Sequence, residues 1–263
     1  MPSPFAKYLN TKVKAPKLKL LPFFHSVEAL RAGNIFADGS LKLRTCPVFK
    51  EPLVYLFYGR PAYKVGFDKG SRGQGDLFYC PVVFVLKPNN IPLSPIKRIY
   101  PFDTGAFEDK YRDLVPPEFS FERFFLGTSN VMTKKLIKFF FGSNEDYFRG
   151  KTCLQKNAVE WNQMEARSYL NILHMVGTSS FDDRAYTAEY QLGSDVDLAA
   201  NILAVAMPEE ALDAPDIYDL VINKWKATPL KYMTYHCGNI STFHGALFST
   251  IHEFLKKRKY LKR

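Results

Sequence analysis

Three separated stretches of this 263-residue chain hold a carboxylate, a guanidinium and an imidazole. In Tyr186-Thr-Ala-Glu-Tyr-Gln191, Glu189 lies in a β-rich run whose alternation sends Ala188 and Tyr190 to the opposite face. A carboxylate on so rigid an element suits the stabilisation of a positive charge that develops during a reaction. In Leu56-Phe-Tyr-Gly-Arg-Pro-Ala-Tyr63, Arg60 sits in a Gly-Arg-Pro turn. Gly59 permits close backbone approach there and Pro61 stiffens the loop, while the planar guanidinium can meet a phosphate through two parallel hydrogen bonds. In Leu21-Pro-Phe-Phe-His25, a short strand ends in His25 and runs into Ser26-Val-Glu-Ala-Leu30, with Asp38-Gly-Ser-Leu41 further on. Tyr58 and Tyr63 flank Arg60 and offer rings for stacking.

Each residue also has a plainer reading. A lone His at a strand end is more often structural, Glu189 can be an ordinary strand residue, and Arg60 can pair with a carboxylate such as Asp76. Taken singly, Tyr58 and Tyr63 are core residues more often than stacking platforms. Glu160 and Glu165 lie in a helical pattern, and Glu165 is a rival carboxylate, ranked lower because helical carboxylates are usually solvated. His236-Cys237 with His244 lacks an acidic orienter and ligand spacing, so neither a thiol nucleophile nor a metal site is expected there. Asp182, Asp183, Asp195 and Asp197 lie in turns around the Glu189 strand, where such residues cap and solvate turns.

Stepping outward, apolar patterning predicts strands over Leu20–Phe24, Leu53–Tyr58, Phe78–Leu86, Tyr186–Leu192, Ile202–Met207 and Tyr232–His236. Helices are predicted from a Ser26 cap to Gly33, near Phe107–Leu114, and over Thr128–Phe141, Asn157–His174, Asp216–Lys226 and His244–Arg258. Strands thus fall early and late with helices concentrated between them, which predicts an α+β fold rather than regular βα alternation. No GxGxxG turn follows a strand, which argues against a Rossmann domain. One domain over 1–263 is expected, with a flexible basic arm at 1–19 and a helical insertion at about 105–180.

Composition narrows the classes further. Hydrophobic residues make up 46% and charged residues 24%, enough to bury a core and too apolar for a disordered chain. The net charge of +10 favours polyanionic partners, although solubility alone is the plainer explanation. Lys134, Lys135 and Lys138 on one helix, and Lys256, Lys257, Arg258, Lys259, Lys262 and Arg263, are the phosphate-contacting candidates. Phe139, Phe140, Phe141 and Tyr260 lie among them, as base-stacking surfaces or as core. No run approaches the roughly 18 apolar residues of a membrane span. No apolar segment follows the lysines of 1–19, so no secretory signal is expected. The four cysteines are scattered without a CxxC pair, which fits a reducing cytoplasm and gives no zinc signature.

The motifs and their order resemble the ADP-ribosyltransferase family, most closely its DarT-like toxin branch. Phe57-Tyr-Gly-Arg-Pro-Ala-Tyr63 is similar to that branch's arginine turn, though two or three residues shorter, and Ala188-Glu-Tyr190 to its late acidic strand. The likeness touches about two thirds of the chain as short separated motifs; 90–180 has no counterpart. It implies a split mixed β-sheet core with the helical insertion and NAD as substrate without a metal. Glu189 and Arg60 would be catalytic, and His25, Ser26, Tyr58, Arg60 and Tyr63 would bind NAD. It further implies a nucleic-acid acceptor, RNA or DNA, an antitoxin partner, no membrane, and a toxin or antiphage role in the cytoplasm. A protein ADP-ribosyltransferase, an NAD hydrolase and a non-catalytic nucleic-acid-binding protein remain as alternatives.

Overall fold

The computed structural model describes residues 2–62, 77–90, 96–175, 184–234 and 240–262. Its strands are β1 (Phe23–Glu28), β2 (Ser40–Leu41), β3 (Arg44–Thr45), β4 (Pro52–Tyr58), β5 (Pro81–Leu86), β6 (Ile96–Tyr100), β7 (Glu189–Leu192), β8 (Val196–Asp197), β9 (Ile202–Pro208) and β10 (Thr228–Tyr232). The α-helices are α1 (Pro4–Lys12), α2 (Ala29–Asp38), α3 (Thr104–Ala106), α4 (Asn130–Phe140), α5 (Asn144–Phe148), α6 (Met164–Met175), α7 (Leu198–Asn201), α8 (Glu209–Leu212), α9 (Pro215–Asp219) and α10 (Ile240–Lys257). The fold is therefore α+β, with a mixed, mostly antiparallel sheet.

The main sheet runs β10-β9-β5-β1-β4-β7-β6, with β3 also on β4. Every pairing in it is antiparallel except β10 with β9. The register of β1 shapes the molecule. Against β5 it pairs along its whole length, from Phe23↔Leu86 to Glu28↔Pro81. Against β4 it pairs only at Phe23↔Tyr58 and Phe24↔Phe57. From His25 onward the two strands part, and the sheet opens.

On one side of this junction the sheet is closed by aromatic packing. Phe23, Tyr58 and Tyr190 share a face, with the Phe23 and Tyr190 rings 4.9 Å apart and Tyr58 stacked on Tyr190 at 5.7 Å. The Tyr147 hydroxyl of α5 donates to the Tyr58 carbonyl at 2.7 Å and accepts from the Ala188 amide at 2.9 Å. This plugs the end of the β4/β7 ladder. Between β6 and β7 the chain is helical, from α3 through π and 3-10 turns to α6.

Local structure departs from the sequence expectations at several places: Leu77–Tyr79 is a 3-10 turn, so β5 starts only at Pro81, and β10 covers Thr228–Tyr232, sharing only Tyr232 with the strand expected over Tyr232–His236. The polar N-terminal stretch expected as a loose arm contains α1. Ser3 caps it, its hydroxyl accepting from the Ala6 amide, and Phe5 and Leu9 are fully buried. Phe5, Tyr8 and Leu9, at helical spacing, form an apolar face within a basic segment. Ser26 does not cap a helix, because the six partners offered by β5 carry β1 through to Glu28. The helix then starts at Ala29 and ends at Gly39, in the left-handed region at φ 63°, rather than at Gly33. Finally, α6 begins only at Met164, so Asn157–Gln163 lies outside the helix expected over Asn157–His174.

Candidate active site

Where β1 and β4 part there is an open cleft with a cavity volume of about 170 Å³. Its walls include His25 and Val27 of β1, Leu53, Val54 and Tyr55 of β4, and Ile35 of α2. Arg31, Lys42 and Arg44, all exposed, bring positive charge to it, with Asp38 as the acidic exception. The His25 Nδ1 lies 2.9 Å from the Tyr55 carbonyl. A carbonyl only accepts, so Nδ1 carries the proton. Burial lowers the His25 pKa, opposed by this hydrogen bond and assisted by the nearby Arg44 charge. The ring is thereby held neutral, with Nε2 as an acceptor.

Glu189 stands one strand beyond β4, paired with Phe57, and is 1% exposed. Its Oε1 accepts from the Gln191 side-chain amide at 2.7 Å and the Thr104 hydroxyl at 2.9 Å, and its Oε2 from the Thr104 backbone amide at 3.2 Å. Burial raises its pKa to about 8, with help from the neighbouring Asp103 carboxylate and against the bonds from Gln191 and Thr104. Asp103 caps α3 and lies 3.7 Å from the buried Arg184 guanidinium. A buried acid held about one unit above neutrality is largely protonated at pH 7 and ionises when an approaching positive charge favours the carboxylate. Tyr55 is common to the two regions: its backbone carbonyl meets His25 in the cleft, while its side chain lies with Gln191 and Glu189 on the sheet face opposite His25 and Val27. Its phenol is pushed up by burial, by its bond to Cys46 and by the Glu189 charge. Its hydroxyl donates to the Cys46 sulfur at 2.6 Å.

Comparison with protein-family models, with curated proteins and with solved structures finds no match.

Arg60 is elsewhere. It is 4% exposed, and its Nη1 donates to the Tyr147 carbonyl at 3.3 Å. Its guanidinium carbon lies 5.6 Å from the Tyr186 ring centre and 5.4 Å from that of Phe248. A Cβ on Gly150 would stand 2.9 Å from that Nη1. Gly59 does permit a close approach, but to protein: at φ +75°, a Cβ there would meet Leu21 Cδ1 at 2.5 Å and Tyr147 Cε1 at 2.9 Å. The surroundings described for Arg60 are those of a packed side chain, away from the cleft lining.

Of the other expected ligand residues, Tyr58 is fully buried among Phe23 and Tyr190, and its hydroxyl accepts from the Leu21 amide. It belongs to the core and presents no face for stacking a ligand. Ser26 follows His25 on β1, so alternation turns it to the face opposite His25 and Val27. Tyr63, Asp76, Asp182, Asp183, His236 and Cys237 lie outside the described residues. The rival Glu165 accepts from Arg123 Nε at 2.8 Å, and Glu160 binds Tyr8 and Lys12 of α1; both serve packing. Asp195 accepts from the Leu43 amide and pairs with Lys42, and Asp197 caps α7. His244 is fully buried, 4.8 Å from the Phe248 ring. Lys135 is buried and bonded to Asn10, which removes it from the phosphate-contacting candidates. Phe140 and Phe141 are core. Lys257, Arg258, Lys259 and Lys262 are exposed.

Sequence reasoning missed Tyr55, Thr104, Asp103, Arg98 and the cleft cations. Gln191 had a signal, since residues two apart on a strand share a face. Thr104 had none, because 85 residues of chain separate it from Glu189.

Proposed function

We propose that this protein cleaves NAD at the bond between nicotinamide and ribose and transfers ADP-ribose to a base of a nucleic acid. The observation that supports this reading best is the opening of the sheet after Phe24↔Phe57. It leaves an open cleft with a basic rim and a neutral His25, and Tyr55, whose carbonyl meets His25 there, carries its side chain on the face of the buried acid Glu189. In this reading the pyrophosphate lies among Arg31, Lys42 and Arg44, where guanidinium groups form charge-assisted hydrogen bonds. His25 Nε2 accepts a hydrogen bond from a ribose hydroxyl. Glu189 is enclosed and lies on the sheet face opposite His25, so in this reading the nicotinamide end passes through the gap between β1 and β4 to meet it.

The C1′–N bond breaks with its electron pair passing to the nicotinamide nitrogen, which leaves as the neutral amide. The positive charge that develops on the ribose is stabilised by the Glu189 carboxylate, as in glycosidic cleavage generally. A nitrogen lone pair of the acceptor base forms the new bond to C1′, and the proton it releases passes to Glu189. The +10 net charge and the exposed cations at the end of α10 favour a polyanionic acceptor. A toxin or antiphage role restrained by an antitoxin goes with the family resemblance and forms part of the proposal.

The test is incubation with ADP-ribose-labelled NAD in the presence of RNA, DNA or protein, followed by nuclease or protease. Nuclease-sensitive label that is lost in Glu189→Gln is the expected result. Label sensitive only to protease moves the acceptor to protein. No turnover, together with no rise in melting temperature at millimolar NAD, overturns the reading, since a ligand at about 100 times its Kd adds roughly 2.7 kcal/mol of stability.

A further inference from the structure

Arg98 of β6 lies on the same sheet face as Glu189 but plays no part in the chemistry above. The register places Arg98 opposite Gln191 and Tyr100 opposite Glu189. Arg98 Nε donates to Gln191 Oε1 at 2.7 Å, and Gln191 Nε2 donates to Glu189 Oε1 at 2.7 Å. Arg98 is itself held from two sides. Glu51 pairs with it and with Lys97, and its guanidinium carbon lies 4.3 Å from the centre of the Phe49 ring.

The chemistry of this chain of bonds has a direction. A guanidinium can only donate, so the atom of Gln191 that faces it must be the carbonyl oxygen. The amide cannot then turn, and its NH2 is left facing Glu189. Gln191 is fully buried, so no solvent competes for either end. An NH2 facing a carboxyl group favours the ionised acid; a carbonyl oxygen facing it favours the protonated one, which can donate. The other groups around Glu189 are fixed by different elements: Asp103 with Arg184 beside α3, Thr104 of α3, Tyr55 of β4 and Tyr100 of β6. Only Gln191 among these has a side chain whose donor and acceptor ends can be exchanged.

We propose that Arg98 and Gln191 are positioning residues for Glu189, with Arg98 locking the Gln191 amide so that its NH2 faces the carboxyl group and favours ionisation against the burial that opposes it. The proposal rests on the reading of Glu189 as the reacting carboxylate, but its central measurement does not need NAD turnover. Carbon-13 titration of the Glu189 carboxyl, assigned with Glu189→Gln as the control, gives its ionisation midpoint directly. Gln191→Met removes the amide at similar length and should raise the midpoint by about one unit. Arg98→Met should raise it similarly by freeing the amide to turn, whereas Arg98→Lys, which keeps a donor, should restore much of the difference. In the double variant Arg98→Met/Gln191→Met the two shifts should not add, because both act through one amide. Fully additive shifts would mean that Arg98 acts by its charge alone, and would overturn the proposal. So would an unmoved midpoint in both single variants. The pH profile of NAD turnover should shift with the same midpoint. Non-additive shifts without any NAD turnover would leave the amide lock standing and remove the NAD reading. Turnover whose profile and midpoint ignore both substitutions would do the reverse.

Discussion

Glu189 at the start of β7 and Arg60 just past the end of β4 are both buried polar residues, yet their surroundings differ. The charge of Glu189 is opposed by burial and by Asp103, and the acid adjoins Tyr55, which forms part of the cleft wall. Arg60 rests between two aromatic rings on a backbone carbonyl, with Gly150 making room for it. Burial of a charged group is therefore no sign of a reactive site by itself. What marks Glu189 is that burial and a neighbouring carboxylate both penalise its charged form.

The largest effect that would sharpen this contrast is in the pH dependence of stability. The folded pKa of Glu189, about 8, lies above its ordinary 4.5, so between these values the folded state binds the proton more tightly. The stabilisation is complete below about pH 4.5 and is lost as pH rises toward 8. Denaturant melts of the wild type should lose a few kcal/mol across this window, and Glu189→Gln should flatten the slope. Equal slopes in the two proteins would remove the strained-acid description and break the comparison on its Glu189 side.

Arg60→Ala should cost about 3 kcal/mol of stability through lost packing and an abandoned carbonyl. Turnover per folded molecule should stay within a few-fold of wild type. A stable Arg60→Ala protein with turnover reduced a hundredfold would return Arg60 to the mechanism and break the comparison on the other side. Gly59→Ala should cost about 2 kcal/mol or more, since the positive φ and the contact with Leu21 both oppose a Cβ. A thermal melt close to wild type would show that the end of β4 yields more easily than the packing around it implies.

The smallest effect expected is at His25. In His25→Phe the ring loses its acceptor, and KM for NAD should rise about tenfold, the value of one hydrogen bond, with kcat little changed. An unchanged KM would place the dinucleotide outside the cleft.

The sequence by itself determined the elements whose patterning is local. The strand over Leu53–Tyr58 is β4 to within one residue, and Ile202–Met207 and Thr128–Phe141 enclose or nearly coincide with β9 and α4. Side-chain periodicity carries those assignments without help from the rest of the chain. It also placed Glu189 on a strand, with Ala188 and Tyr190 turned to the opposite face. Tertiary structure decided what depended on distant partners. The ladder with β5 drew Ser26 into a strand, and α4 and α6 packed against the apolar face of α1. Tyr58 passed from a stacking candidate to the core once Phe23, Tyr147 and Tyr190 surrounded it. The cleft arises because β1 leaves β4 after two residue pairs, and Thr104, Arg98 and Tyr55 reach Glu189 or its amide partner only through strand register and chain return. A one-dimensional pattern records which face a residue occupies; what lies on the other side of that face is set by segments 85 or more residues away along the chain.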